Sequence, residues 1–226
     1  MNPQLGDRRV FLASTSLMMG AACMPGVAEG QTERKRFAIA LHGGAGQSPK
    51  EETAGGVMTS LGKALDIGVD VLKQGGTSLD AVEQVIRFLE DDPLFNAGRG
   101  AVFNAAGQHE LDASIMDGKT LGCGGVAAVR TVRHPISLAR LVMDKTEHVL
   151  LTTDGAEKFA DEMGAKIERV ENSWFSTEKR KQELEKAQKA AKNKQANIPS
   201  TGLYHSTVGC VALDSHGNLA AGTHAL

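Results

Sequence analysis

Aromatic side chains are scarce in this chain: one Trp, one Tyr and seven Phe among 226 residues, or 4%. So thin a supply does not line a large aromatic groove, whereas the 26 glycines suit tight turns and close backbone approaches. An excess of either charge is also missing. Twenty-five Lys and Arg stand against 27 Asp and Glu, a formal charge of −2, which argues against a nucleic-acid partner because such domains carry a basic excess. There are only three cysteines, Cys23, Cys123 and Cys210, and their spacing is not that of metal ligands. No apolar run beyond the first 30 or so residues is long enough to span a bilayer. Internal repeats, a Ser-His-Asp set, a paired-carboxylate motif and a zinc spacing are all lacking. What is present, 41% hydrophobic and 23% charged residues, is ordinary globular composition with enough length for one sizeable core or two small ones.

The N-terminus has its own pattern. Asp7-Arg8-Arg9-Val10-Phe11-Leu12 leads into a short apolar stretch through Met18, Met19 and Ala22, ending near the small residues Gly26-Val27-Ala28. It resembles a bacterial twin-arginine export signal, with a disordered basic leader as the bland alternative. Residues 1–30 are therefore set apart from the fold, and the expected location after export is the periplasm, free of the membrane. Cys23 leaves with this segment, and the two remaining cysteines need not pair.

Beyond it, strands and helices alternate. Phe37–Leu41 reads as a buried strand entering the glycine turn His42-Gly43-Gly44-Ala45-Gly46. Val57, Leu61, Ala64, Leu65, Val71 and Leu72 mark a helix stopped by Gly75-Gly76. Thr77-x-x-Asp80 fits a capping box opening a second helix with the stripe Ala81, Val82, Val85, Ile86 and Leu89. Strands follow at Glu110–Met116 and Gly124–Val129. A helix opens at Pro135, a strand covers His148–Thr153, and a short helix Asp154–Met163 closes at Gly164. Residues 178–196 hold seven Lys or Arg against three Glu without a dense apolar stripe, as a solvated helix or a disordered linker would. Val208–Leu213 and Leu219–Gly222 form a hairpin about Asp-Ser-His-Gly-Asn. The pattern alone supports layered α and β structure around a sheet.

Taken singly, the chemical motifs are bland. His42-Gly43-Gly44-Ala45-Gly46 lacks the spacing of a dinucleotide fingerprint. A lone His42 is more often structural than a base, Asn96 to Gly100 is a turn cluster, and Thr207 at a strand start is an ordinary β-former. Taken in order they say more. Ala40–Gly46, Ser78-Leu79-Asp80-Ala81-Val82, Pro93–Gly100, Glu110–Gly118, His134-Pro135-Ile136 with Ala139-Arg140 and Val142-Met143, and Thr207–Asp214 together resemble the plant-type L-asparaginase/isoaspartyl aminopeptidase family of N-terminal nucleophile hydrolases. The likeness runs from about Phe37 to Thr223, the basic stretch excepted.

That resemblance implies an α/β fold, the αββα sandwich of these hydrolases, incomplete at its C-terminus. It implies one inactive precursor that cuts itself at Ser206–Thr207 and acts on asparagine or isoaspartyl dipeptides. On this reading 31–177 form the first subunit core, 178–206 an exposed basic linker, and 207–226 the start of the second subunit. Thr207 becomes the nucleophile, and Asn96 lies beside it and orients it. Main-chain carbonyls of Leu89, Glu90, Asp92, Phe95, Ala97 and Arg99 hold a structural sodium ion, with no cofactor for the catalysis. The complete molecule pairs as an αβ heterodimer within a heterotetramer.

Departures accompany the likeness. Ser206 stands where glycine usually precedes the nucleophile, and Thr223-His224-Ala225 replaces the start of a T-S-T-G-G run, with Ala225 in the place of an assisting threonine. The family's substrate-clamping arginine and aspartate have no counterpart here, so this chain alone is expected to be poorly folded or inactive, as a truncated or frame-shifted reading would be. Two other readings stay open: a non-catalytic exported fragment or pseudoenzyme of the same fold, and a glycosylasparaginase-like hydrolase, which the glycine motifs favour less.

Overall fold

The computed structural model describes residues 36–44, 51–192 and 207–225. The expected leader (1–30), Ser206 and residues 193–196 of the basic stretch lie outside the described residues.

Six strands form one sheet in the order β1-β5-β6-β2-β3-β4. They are β1 Ala38–His42, β2 Leu111–Asp117, β3 Cys123–Val129, β4 Leu150–Thr152, β5 Val208–Leu213 and β6 Leu219–Ala225. Neighbours are antiparallel except β3 and β4, whose parallel pairing is made possible by an intervening helix, α3 (Pro135–Lys145). Helix α1 (Glu51–Lys73) lies against β1, α2 (Ser78–Asp91) over β5 and β6, and α3 over β2 and β3. Helix α4 (Thr153–Met163) packs on β3 and β4, and α5 (Glu178–Lys192) completes the described helices.

Local chemistry sets the boundaries. Lys73 ends α1 because Gly75 turns into the left-handed region at φ 84°, where its N–H reaches Leu72 and that of Gly76 reaches Val71. Thr77 caps α2 by accepting the Asp80 N–H at 3.1 Å, and its hydroxyl donates to the Asp80 carboxylate at 2.7 Å. On α2 the residues Ala81, Val82, Val85, Ile86 and Leu89 recur at helical spacing and are all fully buried. Each large one contributes about 1.5–3 kcal/mol of burial, so the stripe, rather than propensity, holds the helix on the sheet. Pro135 starts α3 without losing a bond, since its nitrogen needs none in the first turn.

The sheet has two unlike faces. Cys210, Ala212, Ala220, His224, Ala113, Ile115 and Val126 point into the helices and are buried. On the opposite face Val211 is 51% exposed, Leu219 58% and Met116 42%. The described residues thus make one helical and one sheet layer of the expected four-layer sandwich. The basic stretch is helical through Lys192 but not wholly solvated: Arg180 is buried, with Nε donating to the Gly100 carbonyl at 2.6 Å. Burial pushes the Cys210 thiol up to about 12, so it is inert at neutral pH.

The β5–β6 turn is organised by Asp214, 1% exposed. Its carboxylate accepts the N–H groups of His216 at 2.9 Å, Asn218 at 3.0 Å and Ser78, at the head of α2, at 3.2 Å. Burial pushes this carboxyl up, but the N–H donors of Asn218, Ser78 and His216 outweigh it and hold the group below its ordinary 3.8. A lowered carboxylate contributes stability that is complete above the ordinary value and is lost as pH falls through the folded-state value. Asp214→Asn turns an amide N–H toward donors, and it should cost about 2 kcal/mol at pH 7. Urea unfolding of the two proteins should converge at a pH well below 3.8; a gap that persists there contradicts the assignment.

Candidate active site

Thr207 is half-buried and leads directly into β5. Since Val208, Cys210 and Ala212 face the helices, alternation puts Thr207 on the open face with Gly209 and Val211. Two neighbours share that face. Thr223 of β6 pairs with Gly209, and its hydroxyl donates to the Val208 carbonyl at 3.1 Å. His42, at the end of β1, also pairs with Gly209. A Cβ on Gly209 would come within 2.7 Å of its Nε2, so glycine there is what lets the imidazole lie across β5. Beside them is a depression of about 220 Å³ bordered by Asp112, Ser114, Gly125, Leu150, Thr223 and Ala225.

Asn96 comes from a different element, the loop that follows α2. Pro93 prevents the helix from continuing, and the loop folds back on itself. Arg99 N–H donates to the Glu90 carbonyl at 2.7 Å and Phe95 N–H to that of Asp92 at 3.2 Å. Gly100 N–H donates to the Phe175 carbonyl at 2.9 Å. Asn96 is buried, and its Oδ1 accepts the Val102 N–H at 2.8 Å, which orients its amide plane. Gly98 has φ 45°, the left-handed region that favours glycine.

A hydrogen bond joins this loop to the sheet. Gly98 N–H donates to His224 Nε2 at 3.1 Å, and His224 Nδ1 lies 2.7 Å from Glu90 Oε1. The same oxygen accepts Ile136 N–H at 3.1 Å in the first turn of α3, where the helix dipole favours negative charge. Glu90 and His224 are both fully buried.

Of the six residues expected to present carbonyls to sodium, Leu89, Glu90, Phe95 and Ala97 are buried and Arg99 is exposed. Asp92 is half-buried and binds Ser60 through its side chain. The carbonyls of Glu90 and Asp92 each accept one N–H, which leaves each a second lone pair. No cluster of three or more His, Cys, Asp or Glu that could hold a metal occurs among the described residues.

Reasoning from sequence missed the side chains of Glu90 and His224. A signal existed for each. Glu90 follows Ile86 by four places on the apolar stripe of α2, and His224 falls on the inward phase of β6 after Ala220 and Gly222. It also missed His109. That ring is fully buried, Nδ1 3.1 Å from the Val102 carbonyl and Nε2 3.0 Å from Ser176 Oγ, and burial pulls its pKa down.

Residues 35–225 match the family model described as Asparaginase. Over 185 residues the chain is 45% identical to the isoaspartyl peptidase/L-asparaginase of Mus musculus, covering 82% of this chain and 55% of the mouse protein. The Homo sapiens protein of that name is 43% identical over 82% of this chain and 58% of its own. Probable isoaspartyl peptidase/L-asparaginase 2 of Arabidopsis thaliana is 41% identical over 83% and 64%. The chain spans a little over half the length of the mammalian relatives it matches.

Proposed function

This chain belongs to the asparaginase family, and on that premise we propose that it is the precursor portion of an N-terminal nucleophile hydrolase that acts on L-asparagine and isoaspartyl dipeptides. The observation that carries the reading is the placement of Thr207. It heads an interior strand, on the open face, beside Thr223 and His42.

A threonine hydroxyl is a poor nucleophile at neutral pH and needs an adjacent base. Breaking the Ser206–Thr207 bond converts the amide nitrogen of Thr207 into an α-amine with a reference pKa of about 8. That amine takes the proton from the hydroxyl of its own residue, directly or through a water. The oxygen attacks the side-chain amide carbon of asparagine, or the β-linked carbonyl of an isoaspartyl dipeptide. Its electron pair forms the acyl ester, and the departing amine takes up the proton. Water then releases aspartate and restores the hydroxyl. Asn96, on a loop anchored to β6, orients the nucleophile. The carbonyls of Leu89, Glu90, Asp92, Phe95, Ala97 and Arg99 would hold a hard monovalent cation, which would brace the loop and take no part in bond making.

Export by the twin-arginine route to the periplasm, a mature αβ heterodimer and its pairing into a heterotetramer belong to the same proposal. A non-catalytic role is favoured by one observation: Ala225, one residue beyond the Val208–His224 pair and therefore next to Thr207, has no hydroxyl to assist. Intact mass of the purified full-length gene product decides first, by fragments ending at Ser206 and beginning at Thr207. Aspartate release from β-aspartyl-leucine decides second. Uncut protein with no aspartate released would end the enzymatic reading.

A further inference from the structure

The hydrogen bonds that fix the loop carrying Asn96 include Arg99 to Glu90, Gly100 to Phe175, Val102 to Asn96 itself, and Gly98 to His224. The bond from Gly98 crosses to the segment that begins at Thr207. The path is short. Thr207 precedes Val208, Val208 pairs with His224 across the β5–β6 ladder, and Gly98 stands two residues after Asn96. We propose that His224 is the positioning residue of the site: by holding Gly98 it fixes Asn96 relative to the strand that Thr207 opens, an assignment whose catalytic meaning rests on the function proposed above.

The imidazole suits that task on both edges. A ring nitrogen that accepts an N–H carries no proton, so Nε2 is bare and the proton sits on Nδ1, directed at Glu90 Oε1. Glu90 is held in turn by the Ile136 N–H. The ring therefore cannot flip without losing both bonds, because ring carbons would then face Glu90 and Gly98. Complete burial of His224 and Glu90 keeps water from replacing either bond. Gly98 also lacks room to retreat, since a Cβ there would already lie 2.3 Å from the Glu90 carbonyl oxygen. Loop, α2 and β6 thus meet at this imidazole.

Nitrogen-15 NMR of the full chain tests this. In the parent, His224 should be the Nδ1–H tautomer. In His224→Asn, whose amide can still donate toward Glu90, the Gly98 N–H should exchange about tenfold faster or more, the equivalent of one lost hydrogen bond. The Asn96 side-chain amide signals should move as well. Val85→Ala, a core control that lowers stability, should leave the Asn96 side-chain signals and the His224 tautomer unchanged. A proton found on Nε2, or unaltered Gly98 and Asn96 signals in folded His224→Asn, overturns the proposal. Cleavage at Thr207 separates the two ideas. A full-length gene product with these signatures that never cuts refutes the enzymatic function and leaves the anchoring role intact. Parent-rate cutting in His224→Asn with Asn96 undisturbed refutes the anchoring role alone.

Discussion

Thr207→Ala should remain a single uncut polypeptide and lose essentially all hydrolysis of β-aspartyl-leucine, a fall of at least about 10³-fold, as expected when a nucleophile is removed. The size of the effect follows from one residue supplying two groups. In the proposed function its hydroxyl attacks the backbone carbonyl of Ser206 during maturation and later attacks substrate, so the substitution would remove both events together. Thr207→Ser keeps an oxygen at the same place and should still cut, more slowly, because loss of the methyl frees χ1 and the hydroxyl spends less time in the attacking rotamer. Intact mass and aspartate release read the two steps separately. Normal turnover by Thr207→Ala, or by an uncut parent, would show that the α-amine is not the base.

Gly98→Ala carries the largest expected loss of stability. At φ 45° an L side chain pays about 1–2 kcal/mol, and the new methyl would stand 2.3 Å from the Glu90 carbonyl oxygen and 3.0 Å from its Cα. Those atoms are backbone. They sit in the last turn of α2, and the carbonyl is already engaged by Arg99 N–H, so they have no soft direction in which to yield. Strain and overpacking together come to about 2–5 kcal/mol. Gly62→Ala in α1, where nothing lies within 4 Å of the added carbon, should instead stabilise by about 0.5–1 kcal/mol. Urea midpoints measured side by side check both signs. Equal midpoints for Gly98→Ala and the parent would mean that this loop is not built as described.

Much of the scaffold could be read in advance because its signals are local. Thr77 and Asp80 form the cap their spacing announced, Gly75 and Pro135 bound helices as their backbone preferences require, and the apolar stripe of α2 is the buried one. Boundaries moved by a few residues where local signals thin out. Strand β6 continues to Ala225 because β2 pairs with it along Asp112–Asp117, a non-local reason. The site divides the same way. The interior position of β5 and the lie of His42 across Gly209 are products of sheet order, which periodicity does not encode. Glu90 and His224 were hidden for a further reason: each is an ionisable residue on an apolar phase, and only the three-dimensional partner explains why burial is tolerated. Arg180 illustrates the reverse. A charge-rich stretch looked solvated throughout, yet one guanidinium is sunk against the Gly100 carbonyl.

Strand order carries one more implication. The hairpin of β5 and β6 is a wedge between β1 and β2, matched by five residue pairs on one flank and six on the other. A backbone break ahead of Thr207 would therefore leave two polypeptides laced through a common sheet, and neither could slide out without tearing ladders on both flanks. Maturation of this kind is silent in hydrodynamic size. It would show on a denaturing gel and be invisible on a native sizing column, and the wedge must already be seated when the cut is made.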